Sequence, residues 1–311
     1  LRALGGLNPL PVTKETAVRV TVVLALFLAV LLPAVSSVFS QDSPRTQRDV
    51  TYANVGGHGT SLDVYAPAAQ TPLGGNDLPI MIWIHGGGWR HGDKRNVLVK
   101  PTAFNAQGFV FVSINYRLQP GVTYEDQAGD VAEAIHWVRT HAKDFGGAAD
   151  QIFLMGHSAG AHLAALVTTD ARYLKATGLK LRDVAGVVLL DGAAYDIPKQ
   201  IVVAPLPRMK QIYTDAFGDD PADHRDASPS THVAAGKGIP PFLILYVATR
   251  RDGRLQSTAL ANQLTAAGTP AKLVAAADKT HATISGDFGQ PGDKPTEAVF
   301  EFLKERVETP R

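Results

Sequence analysis

From Arg48 onward, short apolar and β-branched runs alternate with longer stretches whose apolar positions recur at helical spacing. The runs read as strands at Asp49–Val55, Ser61–Tyr65, Pro79–His85, Phe109–Asn115, Ile152–Gly156, Val184–Leu190, Phe242–Val247 and Ala271–Ala276. Runs such as IMIWI and FVFVSI are continuously apolar, as expected of strands covered on both faces. The first two, separated by GGHGT, read instead as an antiparallel hairpin. Helices are expected at Tyr124–Ala142, Ser158–Thr168, Leu255–Ala267 and Thr296–Arg306; in the first, Ala128, Val131, Ala132, Ile135 and Val138 make one apolar face. Strands alternating with helices predict an α/β protein with a mostly parallel eight-stranded sheet and helices on both faces. Between the sixth and seventh strands, 192–238 is rich in Pro, Asp and His and shows no sustained period, which predicts a small cap or lid inserted into the main domain.

Ahead of this pattern, Val20–Val35 is an uncharged apolar stretch entered from Arg19 and broken by Pro33. It is shorter than the roughly 20 residues that span a bilayer. With Arg2 and Lys14 upstream it reads as a secretory signal peptide over 1–40, cut after Ser40, with an uncleaved membrane anchor as the alternative. The expected location is periplasmic or extracellular, and the mature domain is 41–311.

Composition narrows the chemistry. The 30 Lys and Arg nearly balance 29 Asp and Glu, with no basic run, so no footprint for nucleic acid is visible. The 311 residues contain no cysteine, which removes thiol nucleophiles, thiolate zinc sites and disulfide staples together. Covalent chemistry is left to other nucleophiles, and an exported fold must be held by its core.

In IFLMGHSAGAHLAAL, Gly156, His157, Ser158, Ala159 and Gly160 stand where a predicted strand turns into a predicted helix. G-x-S-x-G alone is a weak pattern, but this context is that of a nucleophile elbow, which exposes a serine hydroxyl above a sheet. Upstream, IMIWIHGGGWRHGDK places His85, Gly86, Gly87, Gly88 and Trp89 after a buried strand. Backbone N–H groups in such a loop can face a tetrahedral oxyanion, and we assign Gly87, Gly88 and Ala159 to that role. A phosphate loop is disfavoured because the G-K-[ST] ending is absent.

HGGGWRHGDK, SINYRL and GHSAGAHLAAL, in this order, resemble the α/β-hydrolase superfamily, specifically the HGGG carboxylesterase and lipase group with its feruloyl-esterase-like and kynurenine-formamidase-like relatives. The resemblance runs from about Tyr52 to Leu303 and implies a Ser, acid, His order along the chain. The acid is then expected after the seventh strand, where Asp252 is the first carboxylate, with Asp191 the second choice. The base is expected after the eighth strand, at His281. The resulting expectation is a serine carboxylic-ester hydrolase with no metal or organic cofactor, acting on short-acyl, aryl or polysaccharide-linked esters. Amide or formamide hydrolysis and a non-catalytic binding role are the alternatives.

Overall fold

The computed structural model describes residues 45–53, 60–68, 77–204 and 206–308; the leader over 1–40 lies outside them. Eight strands form one sheet: β1 Arg45–Thr51, β2 Ser61–Ala66, β3 Leu78–Ile84, β4 Val110–Ile114, β5 Gly147–His157, β6 Gly186–Leu190, β7 Phe242–Val247 and β8 Ala271–Ala276. Their spatial order is β1-β2-β4-β3-β5-β6-β7-β8. The β1/β2 and β2/β4 pairs are antiparallel, and every pair from β4/β3 to β7/β8 is parallel. This is the α/β-hydrolase architecture that the sequence predicts.

The continuous apolar runs are explained by two cores. Ile80, Ile82 and Ile84 of β3 and Ile152 and Leu154 of β5 face one cluster, while Met81, Trp83, Phe153 and Met155 between them face the other. Alternate side chains of a strand point to opposite faces, so both parities must be apolar when both faces are covered. The first core is closed by α2 (Tyr124–His141) and α3 (Ala159–Thr169), the second by α1 (Lys100–Ala106) and α10 (Lys294–Glu308). Every residue of α3 is buried, which accounts for its Ala-rich composition.

Strand β1 departs from its predicted span. It begins at Arg45 and ends at Thr51, with a register irregularity between Gln47 and Val50 where Asp49 has φ 54°. As an exposed edge strand it needs no apolar alternation, so its polar start was invisible to the pattern.

The segment 192–238 is helical where no period was visible. It contains α5 (Ile197–Val203), α6 (Pro207–Phe217) and α7 (Pro221–Asp226), following α4 (Ala171–Ala176), which leads into β6. Each of α5, α6 and α7 carries Pro in its first turn, and Asp196 and Asp220 cap α5 and α7. Helices this short repeat their apolar face too few times to declare a period. The remaining helices are α8 (Arg251–Ala266) and α9 (Thr283–Gly286). No helix among the described residues is long and apolar enough to cross a membrane.

Candidate active site

Ser158 sits between the end of β5 and the start of α3 at φ 54° and ψ −117°. Such a backbone is costly for a residue with a side chain, and it persists only where the surroundings enforce it. Two glycines allow this. A Cβ on Gly156 would lie 2.2 Å from the Gly160 carbonyl oxygen, and one on Gly160 would lie 2.1 Å from that of Ile84. The Ser158 N–H is held by the Leu190 carbonyl at 3.0 Å.

The glycine loop after β3 lies beside the elbow: a Cβ on Gly86 would be 3.1 Å from Ser158 Cβ. Gly87 and Gly88 have φ 126° and 59°, and a Cβ on Gly87 would strike the His91 carbonyl oxygen at 2.1 Å. Ala159 opens α3, so its N–H has no intrahelical acceptor. The loop is anchored from behind. Tyr116, in the SINYRL motif, stacks on His85 and donates to its carbonyl at 3.0 Å.

His281 Nε2 is 3.0 Å from Ser158 Oγ, and His281 Nδ1 is 2.6 Å from Asp191 Oδ2. Ser158 and His281 are therefore brought together as expected, but the carboxylate hydrogen-bonded to His281 is Asp191, not Asp252. Asp252 lies in the first turn of α8, where a carboxylate suits the helix dipole. It accepts instead from Arg250 Nη2 at 3.0 Å and Gln200 Nε2 at 3.1 Å. The reason is topological: β6 and β7 are parallel neighbours with Leu190 opposite Leu245, so their carboxyl ends open on the same spot. Asp191 directly follows β6, its N–H bonded to the Leu245 carbonyl at 2.8 Å.

Asp191 is fully buried. Burial alone would raise its pKa, but the His281 hydrogen bond, the Arg250 charge and a 3.0 Å bond from the Val247 N–H hold the carboxyl below its ordinary value. Arg250 Nη1 touches the same Asp191 oxygen and lies 2.7 Å from His281 Nδ1. Two further histidines support the site without having been expected there. His157 Nε2 donates to the His281 carbonyl at 2.8 Å, and burial, then the neighbouring His281, lowers its pKa to about 3. His162 Nδ1 accepts from Trp89 Nε1 at 3.2 Å while its Nε2 donates to the Ala227 carbonyl at 2.8 Å; burial lowers its pKa to about 4. Both signals were present in the elbow motif, but a partner across the fold cannot be read from spacing.

The helical insertion is seated on the glycine loop. Trp89 packs against Tyr213 and Phe217 of α6, and Arg90 pairs with Asp215 at 2.7 Å. Ile212 of the same helix faces the loop, with its Cγ2 3.6 Å from where a Cβ on Gly88 would stand. Among the described residues, no three His, Asp or Glu side chains gather as a metal site.

A serine elbow beside a glycine loop, on a mostly parallel sheet with a histidine delivered after the last strand, defines an α/β-hydrolase. The BD-FAE family model matches residues 62–264, and the chain belongs to that family. It is 32% identical over 206 residues to the probable carboxylic ester hydrolase LipM of Mycobacterium tuberculosis, covering 64% of this chain and 46% of that protein. It is 30% identical to carboxylesterase NlhH of the same species, covering 70% of each. The chain thus spans about half the length of LipM and more than two thirds of NlhH. Among solved structures, esterase B from Lactobacillus rhamnosis shares the fold with a TM-score of 0.68 at 23% identity, over 95% of this chain and 98% of that one.

Proposed function

We propose that this protein hydrolyses carboxylic esters through an acyl-enzyme on Ser158, with His281 as general base and Asp191 as the acid that orients it. The observation that carries this reading is the unbroken line from Ser158 Oγ to His281 Nε2 at 3.0 Å and from His281 Nδ1 to Asp191 at 2.6 Å. Family membership supports it.

In the mechanism, His281 takes the Ser158 proton as Oγ attacks the ester carbonyl. Asp191 fixes the Nδ1–H tautomer and offsets the imidazolium charge. The tetrahedral oxyanion lies against the N–H groups of Gly87, Gly88 and Ala159, donors worth about 10² to 10³ in rate each. Collapse expels the alcohol, protonated by His281; water activated by the same imidazole then releases the acid.

The substrates proposed are short-acyl esters of aryl or polysaccharide alcohols. Ile212 of α6 lies next to the glycine loop, so the insertion borders the proposed oxyanion site, which supports a short acyl group. The leader over 1–40 is read as an export signal, so the enzyme is proposed to act outside the cytoplasm; a purified secreted form beginning at Gln41 is expected from N-terminal sequencing.

The test is Ser158→Ala assayed on p-nitrophenyl butyrate. Loss of hydrolysis to background with an unchanged circular-dichroism spectrum is expected; a variant as active as the parent refutes the reading. Longer p-nitrophenyl esters are expected to lose kcat/KM progressively beyond butyrate, and a rising series refutes the short-acyl assignment.

A further inference from the structure

Behind Asp191 lies a second acidic group that the proposed mechanism does not use. Arg250 bridges two carboxylates: Nη1 engages Asp191 and Nη2 engages Asp252 at 3.0 Å. The side chains of Asp191 and Asp252 are 0% and 7% exposed, so solvent screens the cluster poorly.

Arg250 alone would be a poor neighbour for a catalytic histidine. Its Nη1 is 2.7 Å from His281 Nδ1 and competes for the same oxygen of Asp191. A guanidinium can only donate, so from this position it opposes both the Nδ1–H tautomer and the imidazolium. An Asp191–Arg250 pair would also be neutral, leaving nothing to offset the positive charge that His281 acquires when it takes the serine proton. Asp252 changes that balance. Two carboxylates against one guanidinium leave a single negative charge, which is what a transient imidazolium needs to reach neutrality. Gln200 Nε2 holds Asp252 at 3.1 Å and also lies 3.0 Å from Tyr213 Oη, tying the second carboxylate to the helical insertion.

We propose that Asp252 and Arg250 form a charge-setting pair: Asp252 engages Arg250 so that the cluster behind His281 keeps one net negative charge, making both of them positioning residues for the base. This rests on the assignment of Ser158, Asp191 and His281 above. The other groups around His281 do not supply that charge. His157 at the end of β5 is kept neutral by burial, and Tyr195 and Tyr213 near Arg250 are held protonated by theirs. Lys100 of α1 acts on His157 from farther away. On the segment of His281 itself, Lys279 is paired with Asp287 and Asp293.

The experiment is the pH dependence of kcat/KM for p-nitrophenyl butyrate, whose acid limb reports the base of the free enzyme. Asp252→Asn removes a negative charge, so the imidazolium is less favoured and loses its proton at lower pH. The acid limb is expected to move down by about one pH unit, with about a tenfold lower plateau. Arg250→Gln removes the positive charge, and the limb is expected to move up by about as much. The double variant restores one net negative charge and is expected to return close to the parent profile. Opposite movements are the signature, because a purely structural role would not give shifts of opposite sign that cancel. Limbs that stay in place, or that move in the same direction, overturn the proposal. If Arg250→Gln does not fold, Asp252→Asn alone decides: a downward shift supports the pair, and no shift or an upward one overturns it. Ser158→Ala separates the two readings. An inactive Ser158→Ala with unmoved limbs refutes the charge-setting pair only, while an active one refutes the site assignment beneath it.

Discussion

Asp191 occupies a left-handed backbone position, φ 48°, with both carboxylate oxygens engaged: Oδ1 by the Val247 N–H, Oδ2 by His281 and Arg250. Aspartate tolerates that region better than most residues, and the turn presents its side chain to His281 at the carboxyl end of β6. In the proposed mechanism Asp191→Asn favours the wrong imidazole tautomer. We expect kcat to fall by about 10³-fold or more while KM changes little, measured on a short aryl ester. The serine and the histidine were legible from motif and chain order. The carboxylate that meets His281 was not, because two adjacent parallel strands end beside the same loop, and spacing along the chain cannot distinguish Asp191 from Asp252. Arg250, Arg251 and Arg254 stand beside Asp252 in the sequence, and Arg250 forms an ion pair with it.

At the scale of elements, the elbow depends on how closely β5, α3 and β3 approach. Gly156 and Gly160 are not there for flexibility; a methyl group at either would clash with backbone carbonyl oxygens at 2.2 and 2.1 Å. Those carbonyls belong to a helix and a central strand and cannot swing away as a side chain could. Gly160→Ala is therefore expected to cost about 3 kcal/mol or more, or to abolish soluble expression, as read by urea denaturation. By contrast Gly121 and Gly268 have positive φ but no atom within 4 Å of an added Cβ, so alanine there strains only the local backbone. The longer helices were predictable because each repeats its apolar face over several turns. The insertion between β6 and β7 was not, since α5, α6 and α7 are short and take their stability from tertiary contacts such as Trp89 against Phe217, at a ring separation of 4.8 Å.

For the whole molecule, His162, which is buried, and His157, which is partly buried, set a pH limit on stability, and the buried His85 shifts in the same direction. His157 and His162 titrate near 3 and 4 in the folded protein because burial disfavours their charged forms, against about 6.5 in an unfolded chain. Between those values the unfolded state binds the extra protons, so stability falls as pH drops below about 6.5, at up to about 1.4 kcal/mol per pH unit for each histidine. The decline from these groups ends once pH passes below their folded values. Thermal midpoints are expected to drop between pH 7 and pH 5, and urea denaturation at the same two pH values should give the matching loss in free energy. His162 also joins the glycine loop to the insertion, through Trp89 on one side and Ala227 on the other. Acid loosening is thus expected to begin where the insertion meets the site, visible as a red shift of tryptophan emission before global unfolding.

The sequence by itself determined the class of fold, the sheet's mostly parallel character, the serine at its elbow, the glycine loop and the histidine after the last strand. Each is encoded locally, by strand periodicity, by glycines that no other residue could replace, or by order along the chain. Only the tertiary structure decided which carboxylate meets His281, which arginine balances it, and which histidines brace the loops. Those pairings join residues about 60 to 125 positions apart, selected by strand order and by the need of buried charges for partners. Neither constraint leaves a mark in spacing along the chain.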